Sequence, residues 1–194
     1  MFDISNVLTP FVVESVGGNL QVEVSSVYFT RPLVLLGDSV GEGFNALLYH
    51  GYGEDGDADS ITVTGGVING THVNGGNISI GSTTGALDLS AFETGVMSFD
   101  LRVVNAGNST DILIKMDTGT WPHVGDVALS ETTIGMPADD QWYSYEINVA
   151  DFIANDNRLD GSGVFDITNV LTPFVVESVG GNLQVEVRNI KLAQ

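Results

Sequence analysis

Cysteine is absent from the 194 residues, which excludes disulfides, thiolate metal sites and a cysteine nucleophile. Basic residues are scarce: six Lys and Arg stand against 25 Asp and Glu, a formal net charge of −19. Nucleic acids are held by clustered Lys and Arg that displace counterions, so no nucleic acid is expected as a partner, and no membrane or other polyanion either. No apolar run approaches the ~20 residues of a membrane-spanning helix. Histidine occurs at His50, His72 and His123 alone, without metalloprotease spacing, and neither a G-x-S-x-G elbow nor a P-loop is present. Carboxylate pairs for glycoside hydrolysis can always be drawn from 25 acids, so they carry no weight. The chain therefore reads as non-enzymatic. Its opening, MFDISNVLTP, lacks the basic start and apolar h-region of a signal peptide; a piece of a longer protein, with its leader elsewhere, is expected. The acid excess suits a soluble protein in salty surroundings, where self-repulsion is screened.

What is present is strand. LVLL, NALLYHGY, SITVTGG, NISIG, VMSFDLRVV, DILIKMD, WYSYEINV, TPFVVESV and LQVEVRNIKL are rich in β-branched and aromatic residues. Clusters of Gly, Asn, Asp and Ser separate them. SFDLRVV and LQVEVRNIKL alternate apolar with polar, the period of a sheet with one face in a core. GGVINGTHVNGGN reads as a turn-rich β segment with hairpin signals. Helix is reduced to a turn in ADFIAND and another in LSAFETG, where Ser90 and Glu93 have capping-box spacing. With 24 glycines long helices would be costly, and an all-β, two-sheet antiparallel sandwich is the expected fold.

One stretch occurs twice. FDISNVLTPFVVESVGGNLQVEV at residues 2–24 returns at 165–187 with one change, Ser5 against Thr168. The offset suits one sandwich module, so a tandem array is expected: residues 1–30 end a preceding module and 31–194 form a complete one. Both copies fit one slot. Continuity with the preceding strands favours the C-terminal copy, and the other would pack on an edge, dimerise or exchange strands with a second chain. Pro10 and Pro173 remove a ladder donor, so this strand is expected to begin at a sheet margin.

GVMSFDLRVVN, DILIKMDTGTWPHVGDVALS, DQWYSYEINVADFIAN and FDITNVLTPFVVESVGGNLQVEVRNIKLA together carry a family pattern. They resemble the galactose-binding-like C-terminal domain of bacterial exo-β-glucanases of glycoside hydrolase family 3. The matching positions include Trp142, Phe152, Thr172, Pro173, Phe174, Gly181, Leu183, Val187, Asn189 and Leu192. Residues 95–194 match well and 31–94 poorly, and a cysteine pair frequent in that family after the K/R-M-D strand is missing. The resemblance implies a jelly-roll sandwich serving as a carbohydrate-binding module beside a polysaccharide-degrading enzyme. It also implies a secreted or cell-surface bacterial protein with a β-glucan or related plant or algal polysaccharide as partner.

Sugar recognition needs an aromatic ring to stack on a pyranose and polar groups for its hydroxyls. Trp121, in TGTWPHVGD, sits among Gly and Pro as a loop indole would; it either stacks on sugar or folds back as a lid on the core. Asp117, His123 and Lys115 are the polar candidates beside it. Tyr49, His50 and Tyr52, in LLYHGYGED, could extend the platform; Tyr49 reads equally as a core residue, and Tyr52, flanked by glycines, is the better candidate. Trp142 reads as structural, sharing a face with Ser144 and Glu146. Asp55, Asp57 and Asp59 alternate like the opening of a calcium loop, but Gly66 stands where the closing Glu of an EF-hand belongs. A solvated acidic turn is the plainer reading; a structural Ca²⁺ there would instead suit a spacer or adhesion repeat of a surface protein.

Overall fold

The computed structural model describes residues 31–49, 60–72, 76–155 and 163–194. The chain divides between Arg31 and Pro32, and the described strands all belong to the unit Pro32–Gln194. They are β1 (Leu33–Leu36), β2 (Phe44–Tyr49), β3 (Ser60–Thr64), β4 (Val67–His72), β5 (Asn77–Ser82), β6 (Val96–Asn105), β7 (Asp111–Asp117), β8 (Val124–Ala128), β9 (Trp142–Asn148), β10 (Thr172–Val179) and β11 (Leu183–Ala193). A single α-helical turn and a half, α1 (Val149–Ala154), falls in the ADFIAND stretch. The expected all-β sandwich is what forms. One sheet runs β3-β4-β11-β6-β9 with β1 also on β11, the other β2-β5-β10-β7-β8, and every pairing is antiparallel.

Alternation builds the interior. Met97, Phe99, Leu101 and Val103 of β6 meet Ile112, Ile114 and Met116 of β7 in one core cluster with Phe174 and Val176 of β10. At its centre Phe99 stacks on Tyr145 and meets Phe174 edge-on, both at 5.2 Å between ring centroids. The Tyr145 hydroxyl escapes burial cost by donating to the Gly135 carbonyl at 2.8 Å.

The duplicated stretch turns out to hold both sheets together. β10 is the middle strand of one sheet, β11 lies inside the other, and a Gly180–Gly181 turn crosses between them. Pro173 therefore does not mark a margin. It sits in a register shift between Thr172 and Val175 on the β7 side, and β5 pairing begins only at Phe174, so no ladder bond is lost to it. The Ser90–Glu93 capping box does not form either. Ser90 lies inside a short 3-10 turn capped at Leu89, and its N–H donates to Asp88 Oδ1 at 3.0 Å instead. The strand β8 was hidden in VGDVA, whose glycine and aspartate mimic a loop.

Candidate functional site

The outer face of the five-stranded sheet follows from the same alternation that fills the core. With Ile112, Ile114 and Met116 inward, Leu113, Lys115 and Asp117 point the other way, as do Val175 and Glu177 on β10. The registers arrange this face in rows. Tyr49, Asn77, Glu177, Leu113 and Ala128 form one; Leu47, Ser79, Val175, Lys115 and Asp126 form the next. Asn45 and Gly81 continue on the β2 side, with Asp117 and Val124 at the β8 side.

Charge is concentrated in the middle. Lys115 Nζ donates to Glu177 Oε1 at 2.9 Å, with the lysine side chain only 3% exposed. Asp126 is opposite Lys115 in the ladder and fully buried. Burial pushes the Glu177 carboxyl above its ordinary value; Lys115 pulls it back, and Asp126 and Asp117 push it up again. Burial also raises Asp117, against a bond from the Gly119 N–H and the attraction of Lys115. Lys115 and Glu177 thus form an ion pair in a poorly hydrated setting, where charge-assisted hydrogen bonds are strong. Leu113, Val175 and Ser79 are buried here as well. The flanks stay open: Leu47 and Tyr49 on edge strand β2 are 46% and 49% exposed, and Trp121 is 52% exposed.

Trp121 stands on the loop between β7 and β8, whose shape is fixed by its own backbone. Thr118 N–H and Oγ1 both donate to the His123 carbonyl, at 3.2 and 2.9 Å. The His123 N–H returns to Thr120 O at 2.9 Å. Gly119 has φ +81°, and a Cβ there would strike Leu171 at 2.5 Å, so the bend requires glycine. The indole that tops this loop is no core lid. His123 leaves the group: its Nδ1 lies 3.1 Å from Val164 O, in an open depression of about 620 Å³ lined with Thr118, Thr120, Phe165, Asp166 and Asn169. Asp117 and Lys115 do not line that depression. Lys115 is held by Glu177 beneath the surface, so it orients the carboxylate. His50, Tyr52, Asp55, Asp57 and Asp59 lie outside the described residues. Among those described, no group of three or more His, Asp or Glu side chains could hold a metal ion.

Glu177, Asp126, Asn77, Ser79 and Leu47 were not legible as site residues. The strand pattern marks them as outward-facing, but only the sheet order brings them beside Lys115.

The other sheet carries a different surface. Asp100 accepts from Ser144 (2.6 Å), Asn189 (2.7 Å) and Arg188 (3.0 Å). Arg102 bridges Asp140 and Glu186, and Arg188 lies 4.1 Å over the Trp142 ring. Trp142 is thus held in an internal network, as its strand-start position suggested. A groove of about 450 Å³ on this sheet is lined partly by Asp100, whose acceptors are already engaged.

No family model and no curated protein matches the chain. Solved structures do resemble it. An exo-1,3/1,4-β-glucanase from a Pseudoalteromonas species superposes with TM-score 0.60 at 15% identity, over 90% of this chain. The chain spans only 22% of that enzyme's length. The isolated extra C-terminal domain of the same enzyme matches over 82% of this chain and 91% of its own, with TM-score 0.58 and 14% identity. The family 11 carbohydrate-binding module of a Clostridium thermocellum cellulosomal cellulase covers 85% and 95%, with TM-score 0.53 and 16% identity. The likeness at these identities is one of fold: this chain has the β-sandwich architecture of carbohydrate-binding modules.

Proposed function

We propose that this chain is a non-catalytic carbohydrate-binding module for a neutral polysaccharide, a β-glucan or a related plant or algal glycan, read by the outer face of the five-stranded sheet. The observation that carries the reading is the set of exposed apolar side chains on this sheet and its β7–β8 loop, Leu47, Tyr49 and Trp121. Apolar rings and side chains offer stacking surface, and Asn45 and Asn77 offer partners for hydroxyls. The formal net charge of −19 disfavours uronate-rich and sulfated glycans through like-charge repulsion. The shared sandwich architecture of carbohydrate-binding modules supports the same reading. A polysaccharide partner would place the protein outside the cell or on its surface. The competing spacer reading depends on calcium at Asp55, Asp57 and Asp59.

Affinity electrophoresis tests this directly. Gels containing neutral β-glucans should retard the protein, while gels containing an anionic uronate polymer should not. Equal mobility in all of them would remove the proposal.

A further inference from the structure

The depression that holds His123 lies between two segments of chain, 117–123 and 163–171, which touch at both ends. At one end the Leu171 N–H donates to the Asp117 carbonyl at 2.9 Å, and the Leu171 side chain leaves no room for a Cβ at Gly119. At the other, Gly163 approaches the Pro122 carbonyl so closely that a Cβ would overlap it, and His123 Nδ1 lies 3.1 Å from Val164 O. Between these closures Thr118, Thr120 and His123 line the hollow from one segment, and Val164, Phe165, Asp166 and Asn169 from the other. The result is a bowl, closed at both ends and open above. Its volume of about 620 Å³ falls within the roughly 300–1,000 Å³ of small-molecule sites, which are usually pre-formed. A polymer running straight through does not fit that shape; a compact unit does.

The bowl keeps polar groups in reserve. Asp166 Oδ1 accepts from the Thr168 N–H and hydroxyl at 2.9 and 2.7 Å. Asp166 Oδ2, the Asn169 amide and the Thr120 hydroxyl have no partner among the described residues. Val164, 73% exposed, adds apolar surface, and Trp121 sits in the chain between Thr120 and His123. No Lys or Arg among the described residues lines the bowl, so a carboxylated or sulfated ligand meets no permanent cation there. Acceptors, donors and an apolar wall without a fixed positive charge suit the hydroxyls and the ring of a neutral sugar. We propose, building on the carbohydrate-binding reading above, that this bowl is a separate subsite for one neutral pyranose, the terminal unit of a glycan chain. Sugar hydroxyls donate to Asp166 Oδ2 and bond to Asn169 and Thr120, while the sheet face takes the length of a chain.

Side-chain amide resonances of the ¹⁵N-labelled full chain separate the two surfaces, because Asn169 lines the bowl and Asn77 lies on the sheet face. Methyl β-glycosides of neutral hexoses and pentoses should shift Asn169 saturably and leave Asn77 unmoved, whereas a neutral β-glucan hexasaccharide should shift both. Asn169→Ala and Thr120→Ala replace exposed side chains and should leave the fold intact. Each should weaken glycoside binding about tenfold, the loss of one or two hydrogen bonds, read at the Val164 and Asp166 backbone amides. Neither should alter the Asn77 response to the hexasaccharide. If Asn169 answers neither glycosides nor hexasaccharide, the subsite is overturned, and a shift of Asn77 in the same titration leaves the sheet-face reading standing. Unchanged glycoside binding in both variants would equally overturn it. A bowl that answers glycosides but not the hexasaccharide would be a site for free sugar and would overturn the chain-end assignment.

Discussion

Lys115→Met removes the cation paired with Glu177. Taking one partner from a buried ion pair typically costs about 3–5 kcal/mol, because the other charge is left without compensation. Here the remaining charge has a way out. Glu177 already sits above its ordinary pKa because of burial, and Lys115 is the group that holds it down against Asp126 and Asp117. Without the lysine, Glu177 protonates at higher pH still, and a neutral carboxyl is far cheaper to bury. The sign follows from linkage. A carboxyl raised in the folded state binds its proton more tightly there, so stability falls as pH rises from the unfolded value through the folded one. Lys115→Met widens that window upward. Each unit of pH within it is worth about 1.4 kcal/mol, so the variant should lose more stability at high pH than at low pH, by up to about 3 kcal/mol. Urea midpoints at pH 5 and pH 8, with unchanged slope, measure this. An equal loss at both, or none at either, would refute the ion-pair account.

Trp121→Ala should lower the melting temperature by only about 2–4 °C, the effect of ~1 kcal/mol in a domain of this size, and weaken polysaccharide binding about 30-fold, as for an aromatic hot spot. Collapse of the melt would make the indole a core residue, and unchanged binding would move the site. Asp100 is held below its ordinary value: burial works to raise it, but bonds from Ser144, Asn189 and Arg188 outweigh that. Its contribution is present above the unfolded pKa and lost as pH falls through the folded one. Asp100→Asn should therefore cost about 1.5 kcal/mol at neutral pH and flatten the acid limb of the stability curve. Asp57→Asn with Asp59→Asn should lower thermal stability only when calcium is present; identical melts of the parent with calcium and with chelator would end the metal reading.

The sandwich was legible because its strands announce themselves by period. VMSFDLRVV, DILIKMD and WYSYEINV became β6, β7 and β9 with ends within a residue of those read from composition. Two features resisted. VGDVA packs as a strand because its neighbour β7 supplies the ladder, not because of its own propensity. Pro173 was misplaced because an irregularity between two strands, not a sheet edge, absorbs the missing donor. In the site, Trp121 was legible from its Gly and Pro neighbours. Asp117, Lys115 and His123 were read as one group from sequence proximity. The loop bonds turn His123 toward Val164, and strand order joins Lys115 to Glu177, 62 residues away in sequence. Such pairing is a property of topology, which no local pattern encodes.

The chain's two tryptophans allow the central claim to be read in one spectrum, because Trp121 borders the proposed glycan face and Trp142 lies on the opposite sheet beneath Arg188. Indole N–H resonances should be followed while a neutral β-glucan oligosaccharide is titrated into the ¹⁵N-labelled protein. A saturable shift of the Trp121 resonance with Trp142 unmoved is the predicted result. A shift of Trp142 with Trp121 unmoved would place the binding surface on the other sheet and contradict the account.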